Sequence, residues 1–205
     1  VEKVISCHPS STYENMQAIN TGCFPFDPGA TYFSAQSLST IDLLRWDNPS
    51  KGTCAKRNTI FRYIPDSTIS IHNPWNNDAD DKHSNIYSLS SLHYLRGWEG
   101  SNAAAVGRFR RSLKNRNPKF TEIWFPAYDR FAHTKSNEIL QEKYMQFDEY
   151  IGTIVKALTG NGTYDDTILI LTSDHGVQEV SENVNPNKLC SNAGFNPRIG
   201  RRMNV

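Results

Sequence analysis

Two short stretches of the sequence each pair an aspartate with a histidine. Asp129 and His133 are four residues apart, and Asp174 and His175 are adjacent. Carboxylate oxygen and neutral imidazole nitrogen are usual ligands of zinc and related divalent cations. Alone, either pair could be ordinary: Asp174 could cap the following segment, and His175 could be a loop histidine. The elements before the two pairs decide between these interpretations.

Each Asp–His pair follows a stretch that is typical of a buried strand. Residues 167–173 are rich in β-branched and aliphatic side chains, and residues 120–125 form a second apolar run. Between them, residues 137–158 repeat apolar residues at three- and four-residue steps, which predicts a long helix. Residues 120–173 are therefore predicted to form a parallel, right-handed strand–helix–strand unit. Because parallel strands end at the same sheet edge, we expect the two Asp–His pairs to converge there.

Two carboxylates and two imidazoles at one edge suit a pair of divalent cations. Two such ions about 4 Å apart would hold the attacking and leaving oxygens of an in-line displacement. Thr12 is the candidate nucleophile, because it precedes a predicted helix over residues 13–20 and follows a predicted strand over residues 4–7. Free backbone N–H groups there favour a phosphoryl oxygen, and metal coordination would activate the hydroxyl. The alternative for Thr12 is a helix cap without a catalytic role.

Composition and charge limit the classes of function. The chain has 205 residues, 38% of them hydrophobic and 21% charged, which is typical of a globular domain with one core. Its net charge of +1 provides no strong field for nucleic acid or membrane surfaces, and no nucleic-acid-binding signature is present. No apolar run approaches the roughly 20 residues of a transmembrane helix. The sequence does not indicate an oligomeric state.

The cysteines and one glycosylation motif leave the compartment open. The four cysteines form no CxxC pair, which argues against zinc-ribbon or thioredoxin chemistry, and disulfides and isolated thiols both remain possible: Cys7, Cys23, Cys54 and Cys190. Asn161-Gly162-Thr163 would accept a glycan only in a secretory pathway. A secreted, periplasmic or membrane-anchored ectodomain is favoured over a cytoplasmic protein.

The middle of the chain shows weaker patterns. Residues 38–46 are interpreted as a helix, and residues 59–64 and 68–71 as strands. Residues 73–85 are rich in Asn and Asp and predict a surface loop; a calcium loop is a weak alternative, since the EF-hand glycine and glutamate are absent. Residues 102–115 predict a basic helix, with either a solvated face or a surface for an anionic substrate.

Three motifs together resemble the alkaline phosphatase superfamily. Thr172-Ser173-Asp174-His175-Gly176 is similar to its SDHG metal motif. Residues 128–133 (YDRFAH) resemble the D-x-x-[GA]-H motif of its nucleotide pyrophosphatase/phosphodiesterase branch. Residues 9–15 (PSSTYEN), followed by Thr21-Gly22, resemble that branch's nucleophile segment. The resemblance covers residues 4–30 and 120–177.

The resemblance implies an α/β fold with a mostly parallel central sheet and helices on both faces. It implies one alkaline phosphatase-like catalytic domain over residues 1–205 that lacks its first strand and C-terminal part. The implied activity is metal-dependent hydrolysis of a small-molecule phosphate ester, for example a nucleotide, by a phosphodiesterase or phosphatase. Thr12 would form a phosphothreonine intermediate and bind a metal with Asp174 and His175, while Asp129 and His133 would bind the second. Zinc is the expected metal at both positions.

The sequence also departs from the family pattern. The further Asp of the first strand and the last His of the family have no counterpart here, and Glu14 and Pro28 replace a proline and a histidine. Either the chain is a piece of a longer protein, or it is a catalytically silent ligand-binding domain of this fold. Cys7-His8-Pro9-Ser10 resembles the start of the sulfatase C-x-P-S-R motif, but Ser11 replaces the arginine. A sulfatase-like protein or a phosphoethanolamine/phosphoglycerol-transferase-like protein is therefore the enzymatic alternative.

Overall fold

The computed structural model describes residues 12–22, 31–34, 39–42, 58–64, 66–73, 76, 78–83, 86–134, 136–177, 182 and 184–195. Internal contacts divide the chain into two compact units. Unit 1 comprises Val1–Ile19, Cys23–Lys56 and Ser173–Val205, and unit 2 comprises Asn20–Gly22 and Arg57–Thr172. The single domain over residues 1–205 stays a prediction, because one domain can contain two such units.

Five helices and five strands are assigned within the described residues. The helices are α1 (Thr12–Thr21), α2 (Ile86–Arg116), α3 (Ala127–Thr134), α4 (Asn137–Gly160) and α5 (Pro186–Asn192). Helix α2 is interrupted by a kink at Gly97, whose φ of 69° and ψ of 175° are not helical. The strands are β1 (Thr31–Ser34), β2 (Ser39–Asp42), β3 (Thr68–Ile71), β4 (Asp81–His83) and β5 (Phe120–Ile123). No helix in this part of the chain has both the length and the apolar character needed to cross a membrane.

Unit 2 is built on a parallel sheet in the order β4-β3-β5. Ile69 of the central strand lies opposite Asp81 on one side and Thr121 on the other. Beyond the end of β5, the Trp124 N–H donates to the Ile71 carbonyl at 3.0 Å and lengthens the ladder. A parallel sheet with long helices packed against it confirms the predicted α/β class.

The hydrophobic core of unit 2 joins this sheet to α2 and α4. Its buried members are Ile69 and Ile71 of β3, Ala105, Val106, Phe109 and Leu113 of α2, and Ile154 and Leu158 of α4. Thr68 and Ser70 point the other way along β3 and are buried too, so the strand is enclosed on both faces. The second half of the predicted apolar stripe therefore faces the core as expected, whereas Tyr144 in its first half is 59% exposed.

The strand predicted for residues 167–173 is wrong. These residues carry no strand assignment, and their large aliphatic side chains are exposed, with Ile168 at 88% and Ile170 at 77%. The first residue of the run is held by a local turn, in which the Thr167 N–H donates to the Tyr164 carbonyl at 3.0 Å. An apolar run gives a preference for extended structure, but a strand also needs a partner. The strand–helix–strand unit is confirmed only for β5 and α4.

Three other expectations need correction. Residues 39–42 form β2, which pairs antiparallel with β1, and not a helix; residues 43–46 lie outside the described part. Ile60–Tyr63 form a 3₁₀ helix, and its turn is closed by the Arg62 N–H donating to the Thr59 carbonyl at 2.9 Å. The Asn/Asp-rich stretch contains β4 and is not entirely a loop. The predicted helix over residues 13–20 is confirmed as α1, which ends before Gly22 with its left-handed φ of 66°.

Candidate functional site

Unit 1 brings Thr12, Asp174 and His175 together. The Thr12 Oγ1 lies 3.0 Å from Nε2 of His175, although the two residues are far apart in sequence. The same nitrogen lies 3.3 Å from Oδ2 of Asp174, and the two side chains are largely enclosed. Thr12 is the first residue of α1, whose Asn15 and Met16 are buried and fix the helix in place. One predicted half of the site is therefore assembled from three predicted residues.

The hydrogen bonding of His175 indicates which ring nitrogen is available. Its Nδ1 lies 3.0 Å from the Gly176 carbonyl oxygen, which can only accept a hydrogen bond. In the neutral ring, this contact places the proton on Nδ1 and leaves the lone pair of Nε2 facing Thr12 and Asp174. The Ser173 hydroxyl donates to the His175 carbonyl and closes the turn that carries the ring. A backbone contact of this kind orients metal-binding histidines in proteins.

The donor separations around His175 fit a tetrahedral cation site. Ligands bound at about 2.0–2.1 Å to tetrahedral zinc lie about 3.3 Å from one another. The Nε2–Oδ2 distance is 3.3 Å and the Nε2–Oγ1 distance is 3.0 Å. A carboxylate oxygen and an imidazole lone pair at this distance repel each other unless a proton or a cation lies between them. These three residues could therefore hold one divalent metal ion.

Asp129 and His133 lie in unit 2, one turn apart on α3. Their Oδ1 and Nε2 atoms are also 3.3 Å apart, and the side chains are 45% and 63% exposed. Helical spacing, and not the strand end itself, brings the two groups together. Within the described residues, no three His, Cys, Asp or Glu side chains form a metal-binding group. The convergence of this pair with the pair in unit 1 stays a prediction.

An aromatic cluster supports α3 beneath its Asp–His pair. The ring of Tyr128 contacts Phe147 with centroids 4.9 Å apart and stacks on Tyr144 at 6.3 Å. Burial raises the pKa of Tyr128 well above its usual range, so the phenol stays protonated. Lys143 pairs with Glu99 of α2 at 2.5 Å and lies 5.8 Å above the ring centre of Phe131. The ring contacts tie α3 to α4, and Lys143 of α4 links this cluster to Glu99 of α2.

The sequence did not identify Glu122 as a candidate residue. Glu122 lies in β5, and burial raises its carboxyl pKa to about 7, partly offset by hydrogen bonds from Asn73 and Asn20. The available signal was a lone acidic residue inside an otherwise apolar predicted strand. Such a residue must find polar partners within the fold.

Comparison with known proteins gives one match. The family model described as Type I phosphodiesterase / nucleotide pyrophosphatase matches residues 1–204. No curated protein and no solved structure matches the chain. The matched range includes Thr12 and both Asp–His pairs.

Proposed function

The chain belongs to the type I phosphodiesterase/nucleotide pyrophosphatase family, a branch of the alkaline phosphatase superfamily of phosphoric ester hydrolases. We propose that it hydrolyses small-molecule phosphodiesters or pyrophosphates, such as nucleotides. The reaction would use a covalent Thr12 intermediate and two divalent metal ions, and zinc is the expected metal. The observation that carries the proposal is the 3.0 Å contact between Thr12 Oγ1 and His175 Nε2. It joins the nucleophile segment to the metal motif within one unit.

Helix α1 is suited to hold the substrate at Thr12. The first backbone N–H groups of an α-helix have no partner within the helix and stabilise negative charge. Thr12 is at this end of α1, so these donors can bind phosphoryl oxygens next to its hydroxyl. The Thr12 oxygen would form a bond to phosphorus as the bond to the leaving oxygen breaks. Water would then cleave the phosphothreonine and restore the hydroxyl.

Metal ions would be held by the two Asp–His pairs. Asp174, His175 and Thr12 would bind one ion, and Asp129 and His133 would bind the other. Bound divalent cations supply Lewis-acid polarisation of the phosphoryl group and lower the pKa of a coordinated hydroxyl. The Nδ1 contact to the Gly176 carbonyl keeps His175 in the tautomer that this role needs.

The test compares Thr12→Ala with Thr12→Ser on a chromogenic phosphodiester such as bis(p-nitrophenyl) phosphate. We expect Thr12→Ala to lose at least about 10³-fold in kcat/KM, because loss of a nucleophile removes the whole covalent route. Thr12→Ser should retain the phosphoenzyme, detectable by acid quench and mass measurement of the peptide. Thr159→Ala, an exposed change on α4, is the matched control. Undiminished turnover by Thr12→Ala would refute the role of Thr12.

A catalytically silent ligand-binding domain is the second candidate. It is favoured because the described residues contain no group of three His, Cys, Asp or Glu side chains that could hold a metal ion. Metal analysis of the purified protein separates the two functions. Two zinc ions per chain would support the hydrolase, whereas binding of a phosphate ester without metal or turnover would support the silent domain.

A further inference from the structure

Three polar side chains of unit 2 are buried against one another. They come from distant parts of the chain: Asn20 from the last turn of α1, Asn73 from the segment after β3, and Glu122 from β5. Asn20 and Asn73 are 1% and 0% exposed. The Asn73 amide nitrogen donates to Oδ1 of Asn20 at 2.9 Å and to Oε2 of Glu122 at 2.6 Å. Both amide protons of Asn73 are thus used to join the other two residues.

Asn20 closes the triangle by donating from its own amide to the Glu122 carboxyl. The carboxyl therefore receives two neutral N–H groups, and no charged group of the described residues contributes to its electrostatics. Burial raises the Glu122 pKa to about 7 and the two amides lower it, with burial the larger effect. Both protonation states are populated near neutral pH.

The backbone conformation of the preceding residue, His72, sets the orientation of Asn73. His72 has a φ of 65°, in the left-handed region that residues other than glycine seldom adopt. Its N–H donates to the His83 carbonyl at 3.1 Å, which anchors this conformation to β4. The Asn73 carbonyl in turn accepts from the Asn76 amide at 2.7 Å. A strained residue persists only where its surroundings hold it, so the position of Asn73 is over-determined.

We propose that Asn20, Asn73 and Glu122 form a buried positioning site that fixes the last turn of α1 to the β3–β5 pair. Asn20 lies on the helix that begins at Thr12, the proposed nucleophile. None of the three residues needs to touch substrate. The effect on catalysis rests on the proposed function, whereas the structural role of the site does not.

The first test measures unfolding equilibria against pH. The Glu122 pKa of about 7 lies above its ordinary value of 4.5, so between these pH values the folded chain holds a proton that the unfolded chain has lost. The unfolding constant should rise by up to about 300-fold between a pH well below 4.5 and a pH well above 7, a contribution that Glu122→Gln removes. Identical pH profiles for the wild type and Glu122→Gln would overturn the proton linkage.

The second test measures amide hydrogen exchange over residues 18–22. Asn73→Ala should accelerate exchange there by at least about 10-fold, because it removes both donors that hold Asn20 and Glu122. Asn115→Ala, an exposed change on α2, should leave these amides unchanged. Unaltered exchange in Asn73→Ala would overturn the positioning role. If Asn73→Ala does not fold, the same measurement on Asn20→Ser decides in its place.

A third readout separates positioning from stability alone. On the chromogenic phosphodiester, the ratio of kcat/KM for Glu122→Gln to that of the wild type should change through pH 7. A ratio independent of pH would overturn the link to Thr12. An inactive wild type would refute the proposed function and leave the exchange and unfolding tests valid.

Discussion

The Asp78 carboxylate is predicted to act as a clamp, that is, to stabilise the fold by accepting two hydrogen bonds from the buried Thr59. Removing this carboxylate tests the prediction. Its Oδ2 accepts from the Thr59 N–H at 2.7 Å and from the Thr59 hydroxyl at 3.0 Å. Thr59 is 1% exposed, so Asp78→Ala leaves two buried donors without this acceptor. Each such loss costs about 1–3 kcal/mol. Because the hydroxyl can rotate and water can reach the half-buried position of Asp78, we expect about 2–4 kcal/mol in total.

Urea unfolding followed by circular dichroism measures this loss. Asp78→Asn keeps an acceptor oxygen and should cost only about 1 kcal/mol, the difference between a charge-assisted and a neutral hydrogen bond. Asp148→Ala, an exposed change on α4, should stay within about 0.5 kcal/mol of the wild type. A loss below about 0.5 kcal/mol for Asp78→Ala would refute the clamp. Stabilisation by calcium that depends on Asp78 would instead support the calcium-loop interpretation.

Three further predictions concern the core, the turns and the metal motif. Ile71→Ala should cost about 2–5 kcal/mol, because the side chain is fully buried, whereas Ile168→Ala should change the free energy of unfolding by less than about 0.5 kcal/mol. Gly152→Ala in α4 should raise the free energy of unfolding by up to about 1 kcal/mol, since no atom lies within 4 Å of the added Cβ. Gly162→Ala should lower the free energy of unfolding by about 1 kcal/mol, because the φ of Gly162 is 71°. Asp174→Asn should weaken zinc binding at least about 10-fold by isothermal titration calorimetry, and unchanged affinity would exclude this carboxylate as a ligand.

Sequence patterns predicted the features that depend on local chemistry. Helix α1 followed from the residues before Gly22, and α4 followed from its apolar stripe. The contact between Thr12 and His175 agrees with the family resemblance, which implied that these two residues lie at one site. The placement of Asp129 on a helix was only partly predicted. The four-residue spacing to His133 suits a helix, but the preceding apolar run indicated that Asp129 follows the end of a strand.

Features that depend on distant partners could not be predicted in this way. In the sequence, Asp78 and Asp80 are typical of polar loop residues. In the structure, Asp78 accepts hydrogen bonds from the buried Thr59, and Asp80 accepts them from the buried Thr68. Glu122 lies in a stretch whose neighbours are apolar, and its partners come from two other segments. The aliphatic run at residues 168–171 has strong extended preference, but nothing in the run itself specifies a pairing strand.

The position of β3 at the centre of its sheet has a consequence for the order of folding. Strands β3 and β4 are neighbours in sequence, and the segment between them is held by the Asp80 carboxylate accepting from Thr68. Strand β5 reaches β3 only after the whole of α2 has been placed. Closing the longer connection costs more chain entropy and slows the pairing. We therefore expect the β3–β4 ladder to form first and to serve as the template on which β5, and with it the Asp129/His133 pair, is added.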